Sequence, residues 1–185
     1  MKKVKGSLMV MVVKAIKASR SKWDDFNRIL SDKAKEVLDR RVLVASWYPF
    51  ELYKECIDAL MLIEARNNPK TLVQWGHAEG KRSLTTIYRA TITKGDIETA
   101  VEAYSRLYRM LFNFGEVETK IISDNEATFT FKNFINEWQY FYYITVGWIQ
   151  EFIELATSKK TEYTFLNKSW VGEGWTTFKI SWPSD

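Results

Sequence analysis

Two residue types that often carry chemistry are almost missing from this chain: it holds one cysteine, Cys56, and one histidine, His77, in 185 residues. A lone cysteine excludes an intramolecular disulfide and any zinc site built on several thiolates. Cys56 also falls in an apolar helical stripe, where packing is its ordinary role. No apolar run approaches the ~20 residues that span a bilayer. The longest, Leu8 to Val13 and Tyr140 to Ile149, fall short, and no small-residue cleavage pattern follows the first. These readings predict an unexported, cytoplasmic protein with no membrane partner. Blocks of one charge sign are absent too. The 27 basic and 23 acidic side chains are interspersed, so the net charge of +4 predicts no nucleic-acid partner. The one local bias is the basic start, with Lys2, Lys3, Lys5, Lys14, Lys17, Arg20 and Lys22 ahead of Asp24, read as a solvated helix face.

What the chain has in quantity is aromatic side chains, 15% of its residues and eight of them tryptophan. Such rings bury large apolar areas, so they predict a filled core together with a pocket or an interface. With 46% hydrophobic residues and no linker-like stretch, residues 1–185 read as a single domain with a helical half, 1–114, and a second half, 115–185.

The helical half is read from periodicity. A first helix runs from about Gly6 to Arg20. A second starts at Ser21, with a bend near Ser31, and carries Trp23, Phe26, Leu30, Ala34, Val37 and Leu38. Val42 to Ala45, short, apolar and β-branched, reads as a buried strand or an extended connector. Trp47-Tyr48-Pro49-Phe50 opens a helix to about Ala65, stopped by Asn67-Asn68-Pro69. Residues 71–92 read as mainly helical, softened or broken around His77 by Gly76 and Gly80. Ile97, Ala100, Val101, Tyr104, Leu107, Tyr108 and Leu111 mark the clearest amphipathic helix.

In the second half the period changes. Val117, Thr119 and Ile121 alternate with polar residues, Asp124-Asn125 turns, and Ala127, Phe129 and Phe131 alternate again. A helix over about Trp138 to Ala156 follows. A second hairpin then carries Tyr163 and Phe165 in one strand and Phe178, Ile180 and Trp182 in the other. The predicted fold class is α+β: a helical N-terminal half, then a four-stranded antiparallel sheet with a long helix inserted between two hairpins.

No nucleophile lies beside a base and no phosphate loop is present; Gly172-Glu173-Gly174 lacks the helix such a loop needs. The acid pairs Asp24-Asp25, Glu51-Glu55 and Glu151-Glu154 have the spacing of ordinary solvated helix faces. The expectation is therefore a protein that is not an enzyme and carries no cofactor. The long aromatic helix has two apolar stripes, one with Trp138, Phe141, Tyr142, Ile149, Phe152 and Ile153, the other with Tyr140, Ile144, Trp148 and Leu155. A surface helix needs only one. The second stripe therefore meets a ligand, another element or a second subunit. Tyr140, Ile144 and Trp148, four residues apart, are the candidate homodimer interface. For a small apolar or aromatic ligand the candidate lining is Trp47, Tyr48, Trp75, Tyr88 and Trp148, with His77 or Arg89 to orient an anion.

The order of elements, Trp47-Tyr48-Pro49 at the head of a long helical section, and the closing run from Lys168-Ser169-Trp170 through Gly172-Glu173-Gly174-Trp175-Thr176 to Phe178-Lys179-Ile180 resemble one superfamily. It is shared by 4-vinyl reductase domains, haem-based nitric-oxide-binding sensors and transport protein particle subunits, and the nearest likeness is to bacterial paralogues that look like regulatory modules. The resemblance implies a non-catalytic small-molecule-binding sensory or regulatory module, or alternatively a homodimeric scaffold of the transport-particle type. Two departures qualify what it implies. Where vinyl reductase domains carry cysteines around the last turn, this chain has Ser169 or Trp170 and Trp175 or Thr176, so no metal site of that type is expected. The Tyr-x-Ser-x-Arg motif that grips haem propionates in the sensors is absent, since Tyr104-Ser105-Arg106 is contiguous.

Overall fold

A computed structural model describes residues 1–92 and 95–184. By its contacts the chain forms two units, one of residues 1–69 with 110–114, the other of residues 70–109 with those from 115 on.

The first unit starts with a short strand, β1 (Lys3–Lys5), that leads directly into α1 (Gly6–Ala18). After a 3-10 turn at Arg20–Lys22 come α2 (Trp23–Ile29) and α3 (Asp32–Asp39), parted at the bend expected near Ser31. Ser31 caps α3, its hydroxyl accepting from Ala34 N at 3.3 Å. The chain returns through β2 (Trp47–Pro49), which pairs antiparallel with β1, and enters α4 (Phe50–Ile63). Pro49 thus sits one residue outside the helix, in extended conformation, rather than at its first turn as expected. A second difference is at Val42 to Ala45, which form no buried strand: the segment is an irregular connector ending in a turn, with Leu43 and Val44 exposed. Val4, Met9, Val12, Ile16, Phe26, Leu38, Phe50, Ile57 and Met61 fill the core of this unit.

The second unit begins with α5 (Pro69–Leu84). It is one continuous helix, which Gly76 and Gly80 do not break. A 3-10 turn at Arg89–Thr91 precedes α6 (Ile97–Leu111), the helix marked by its periodicity. Next come β3 (Glu116–Ser123), β4 (Glu126–Lys132), α7 (Gln139–Thr157), β5 (Glu162–Asn167) and β6 (Thr176–Ser181). The four strands form one antiparallel sheet in the order β3-β4-β6-β5, so α7 is inserted between two hairpins in sequence while β4 and β6 lie side by side.

The alternation of β4 becomes a dry face. Ala127, Phe129 and Phe131 are buried, and register sets Phe129 opposite Phe178 with rings stacked at 5.7 Å. Helices close over that face with more rings. Tyr104 of α6 meets Phe129 edge-on at 5.5 Å, Tyr108 meets Phe131 at 5.8 Å, and Phe141 and Tyr142 of α7 meet Phe131 at 5.8 and 6.0 Å. Much of the aromatic content is therefore core. Among the described residues no helix is long and apolar enough to cross a membrane.

Candidate functional site

The site-bearing part of the second unit is the seam between α5 and α7, and it is built on glycine. A methyl group on Gly76 would overlap the carbonyl oxygen of Ile144, and one on Gly147 would overlap that of Val73. The two helices thus meet backbone to backbone at these points. Gly80 continues the contact, facing Trp148 and Glu151. The glycines are helical residues retained for proximity, which is why they leave α5 unbroken despite their poor helix propensity.

Close approach brings polar side chains of the two helices together. The Nδ1 of His77 lies 3.4 Å from Glu151 Oε2, and its Nε2 lies 3.3 Å from Gln150 Oε1. The Gln150 amide is itself fixed, since its Nε2 donates to the Thr161 carbonyl at 3.0 Å. Trp148 Nε1 donates to Ser83 Oγ at 3.1 Å, and its ring contacts Tyr104 and Phe152. Ile144 is buried at the seam. Of the row Tyr140, Ile144 and Trp148 considered for a second subunit, two members are thus covered by helices of their own chain. Trp148→Glu is expected to lower stability by about 3 kcal/mol, because it removes a large ring and puts a carboxylate among others. Chemical denaturation followed by near-ultraviolet circular dichroism measures this; a fully stable variant that turns dimers into monomers would assign the row to an interface.

Beyond the seam, the ends of the two helices border a cleft of about 400 Å³ lined by Leu84, Thr85, Arg89, Ile92 and Leu155. Its walls are largely aliphatic. The guanidinium of Arg89 is exposed and engages no acid among the described residues.

A third cluster lies under the closing hairpin. Ser169 Oγ donates to the Asn136 carbonyl at 3.0 Å, and lies 2.8 Å from Thr176 Oγ1 and 3.3 Å from the Tyr142 hydroxyl. Burial pushes the Tyr142 phenol up, against the opposing pull of Ser169 and Thr176. These are two of the positions matched above to cysteines. The fold does bring them together, as a metal site would need, but they hold each other through hydroxyls, which are poor substitutes for thiolates toward zinc. No group of three or more His, Cys, Asp or Glu among the described residues is arranged to hold a metal ion. Ser169→Ala leaves buried partners unsatisfied and is expected to cost about 1–3 kcal/mol. A urea midpoint no lower than that of the parent protein would contradict the role.

Trp47 and Tyr48 belong to β2 in the first unit, where Lys5 Nζ lies 4.6 Å over the Trp47 ring and the Tyr48 hydroxyl accepts from Leu43 N at 2.9 Å. Trp75, Tyr88 and Trp148 belong to the second unit and are half-buried. His77 and Trp148 lie on the two facing helices, and Arg89 stands in the cleft. Sequence reasoning missed Ser83, Gln150 and Thr161 as partners, and Leu84 and Leu155 as cleft walls. The signal available was the Gly76-x-x-x-Gly80 spacing together with Gly147 in an otherwise bulky helix.

No protein-family model matches the sequence, and no curated protein matches it. Solved structures do. The Fe(II) unliganded H-NOX protein from K. algicida superposes with a TM-score of 0.67 at 10% identity, over 98% of this chain and 97% of that one. An H-NOX protein from S. oneidensis in the Fe(II)NO ligation state gives 0.66 at 10% identity, over 97% of this chain and 99% of that one. A third structure, described as probing heme distortion in the H-NOX family, gives 0.66 at 11% identity, over 97% and 95%. The chain has the H-NOX fold.

Whether these residues suit a haem is a separate question, decided by side chains. Haem iron is commonly held by histidine, cysteine thiolate or tyrosine. Both ring nitrogens of His77 face acceptors on α7. Burial, with Glu55 adding to it, pushes the Cys56 thiol up to about 12, which disfavours a thiolate. Burial likewise pushes the Tyr104 and Tyr108 phenols far up, and their rings are packed among Phe129, Phe131 and Phe152. With the Tyr-x-Ser-x-Arg clamp absent as well, His77, Cys56, Tyr104 and Tyr108 as they are placed do not fit a haem.

Proposed function

We propose that this chain is a non-catalytic sensory or regulatory module that uses the H-NOX fold without haem and binds a small organic ligand in the cleft beside Arg89. The observation that carries the reading is the cleft itself: an aliphatic lining of Leu84, Ile92 and Leu155 beside the Arg89 guanidinium, which engages no acid among the described residues. Apolar walls with few placed polar groups are the ordinary form of a small-molecule site, and a planar guanidinium suits a carboxylate. The ligand class is therefore a small apolar or aromatic carboxylate. Of the two residues considered for orienting an anion, Arg89 takes the role and His77 braces the seam. The H-NOX likeness supports a ligand-binding module and lends nothing to the scaffold alternative.

The test is a thermal-shift screen of aromatic and aliphatic carboxylates, followed by calorimetry of any hit on the parent protein and on Arg89→Gln. The expected result is a rise in melting temperature of several degrees at saturating ligand, and at least tenfold weaker binding by the variant, since a charge-assisted bond contributes about 1.5–3 kcal/mol. Equal affinity in the variant would remove Arg89 from the site.

A further inference from the structure

The turn that joins α3 to β2 in the first unit is made of residues that turns ordinarily avoid. Ser46 N donates to the Leu43 carbonyl at 3.1 Å, closing a turn whose corner is Val44-Ala45. Such corners usually carry Gly, Asn, Asp or Pro. The side chains are also displayed: Leu43 is 55% exposed, Val44 47% and the nearby Trp47 40%. Looseness is not the cause. Gly6 N donates to the Ser46 carbonyl at 2.7 Å, Leu43 N donates to the Tyr48 hydroxyl, and a methyl group on Gly6 would overlap the Leu43 carbonyl oxygen. The apolar tip is thus held out on a braced base.

The charges around this tip are mostly positive. Arg41 is exposed and has no acidic partner among the described residues, and Lys5 sits over the Trp47 ring. Arg40 is paired with Glu36 at 2.5 Å, and Asp39 is the other nearby acid. Lys3 lies two residues farther along β1, opposite Pro49, and Lys2 Nζ is over the Phe114 ring at 5.3 Å, so the basic groups at the tip are Lys5, Arg40 and Arg41. A tryptophan and two exposed aliphatic side chains flanked by Lys5 and Arg41 match the membrane-water interface, where aromatic rings lie at headgroup level and basic groups attract anionic lipid.

We propose that the turn from Leu43 to Trp47 docks the protein on the surface of an anionic lipid bilayer, with Leu43 and Val44 entering the headgroup region and Arg41 and Lys5 contacting lipid phosphates. This is surface attachment, not a span. It is independent of the ligand reading, since the two sites lie in different units. An apolar tip of this size predicts reversible attachment that needs both components, because each Lys or Arg near such a surface contributes about 1 kcal/mol.

The full chain is mixed with vesicles of phosphatidylcholine alone and of phosphatidylcholine with one-third phosphatidylglycerol, and bound protein is measured by sedimentation. The expected result is binding to the anionic vesicles that weakens with added salt, at least tenfold weaker binding to neutral ones, and at least a tenfold loss in both Val44→Asp and Arg41→Glu. Both positions are outside the core, and unchanged far-ultraviolet circular dichroism confirms that the variants fold. Trp47→Phe should remove a blue-shifted component of the vesicle-bound fluorescence. No binding to anionic vesicles overturns the proposal. So does binding that both variants retain, which would assign it to the basic face of α1. If Val44→Asp instead dissociates a dimer in lipid-free buffer, the tip is a protein contact and the proposal fails.

Discussion

Gly147→Ala is expected to destabilise the protein by about 3 kcal/mol or more, with Gly76→Ala close behind. The sign makes the test decisive. In an open helix, glycine to alanine stabilises by up to about 1 kcal/mol, because alanine restricts the unfolded chain and favours the helix. Here the added methyl meets a backbone carbonyl that no rotamer change can move, Val73 for Gly147 and Ile144 for Gly76. Relief requires α5 and α7 to separate, and overpacking against a rigid partner commonly costs about 1–3 kcal/mol, occasionally more. Gly174→Ala is the control, since a methyl there meets nothing within 4 Å, and it should stay within about 0.5 kcal/mol. Urea unfolding of the three variants measures all of this. A neutral or stabilising Gly147→Ala would mean that the seam is looser than described.

Protein produced with ample iron and haem precursor is expected to purify colourless, without a Soret band, despite its fold. A fold positions backbone, whereas a haem is held by particular ligands and counter-charges. The one histidine faces Glu151 and Gln150, and the buried phenols of Tyr104 and Tyr108 are spent as packing. Absorption spectroscopy and elemental analysis check the expectation. A stoichiometric haem band that disappears in His77→Ala would show that the imidazole leaves its α7 partners to bind iron. The ligand proposal at Arg89 would then have to be reconsidered.

The elements legible in the sequence were those whose period is long and uninterrupted. The apolar steps from Ile97 to Leu111 delimit α6, and the alternation through Phe129 and Phe131 delimits β4 with its dry face. Short or close-packed features were illegible for physical reasons. Lys3-Val4-Lys5 is too brief to show alternation, and its pairing with β2 depends on residues more than forty positions later. Apolar Val42 to Ala45 suggest burial, yet Leu43 to Ala45 are exposed because the turn is braced from Gly6 and Tyr48. Gly76 and Gly80 suggest a break when considered alone, and become close-packing residues only once α7 is set against them. The cleft was equally hidden, because its walls come from the end of α5, the 3-10 turn after it and the far end of α7. Pattern along one segment cannot show such a meeting.

The glycine seam also bears on the order of folding. Its partners are remote in the chain, His77 and Glu151 being 74 residues apart, so the seam closes only after a large loop has been organised. Contacts of such separation cost closure entropy before they return any stability. A backbone-to-backbone contact, moreover, gives little attraction until the helices are almost fully seated. The seam should therefore form after the barrier has been crossed. Seam variants such as Gly147→Ala are expected to refold at nearly the parental rate and to unfold much faster, so that the contact sets how long the native state lasts rather than how quickly it is reached.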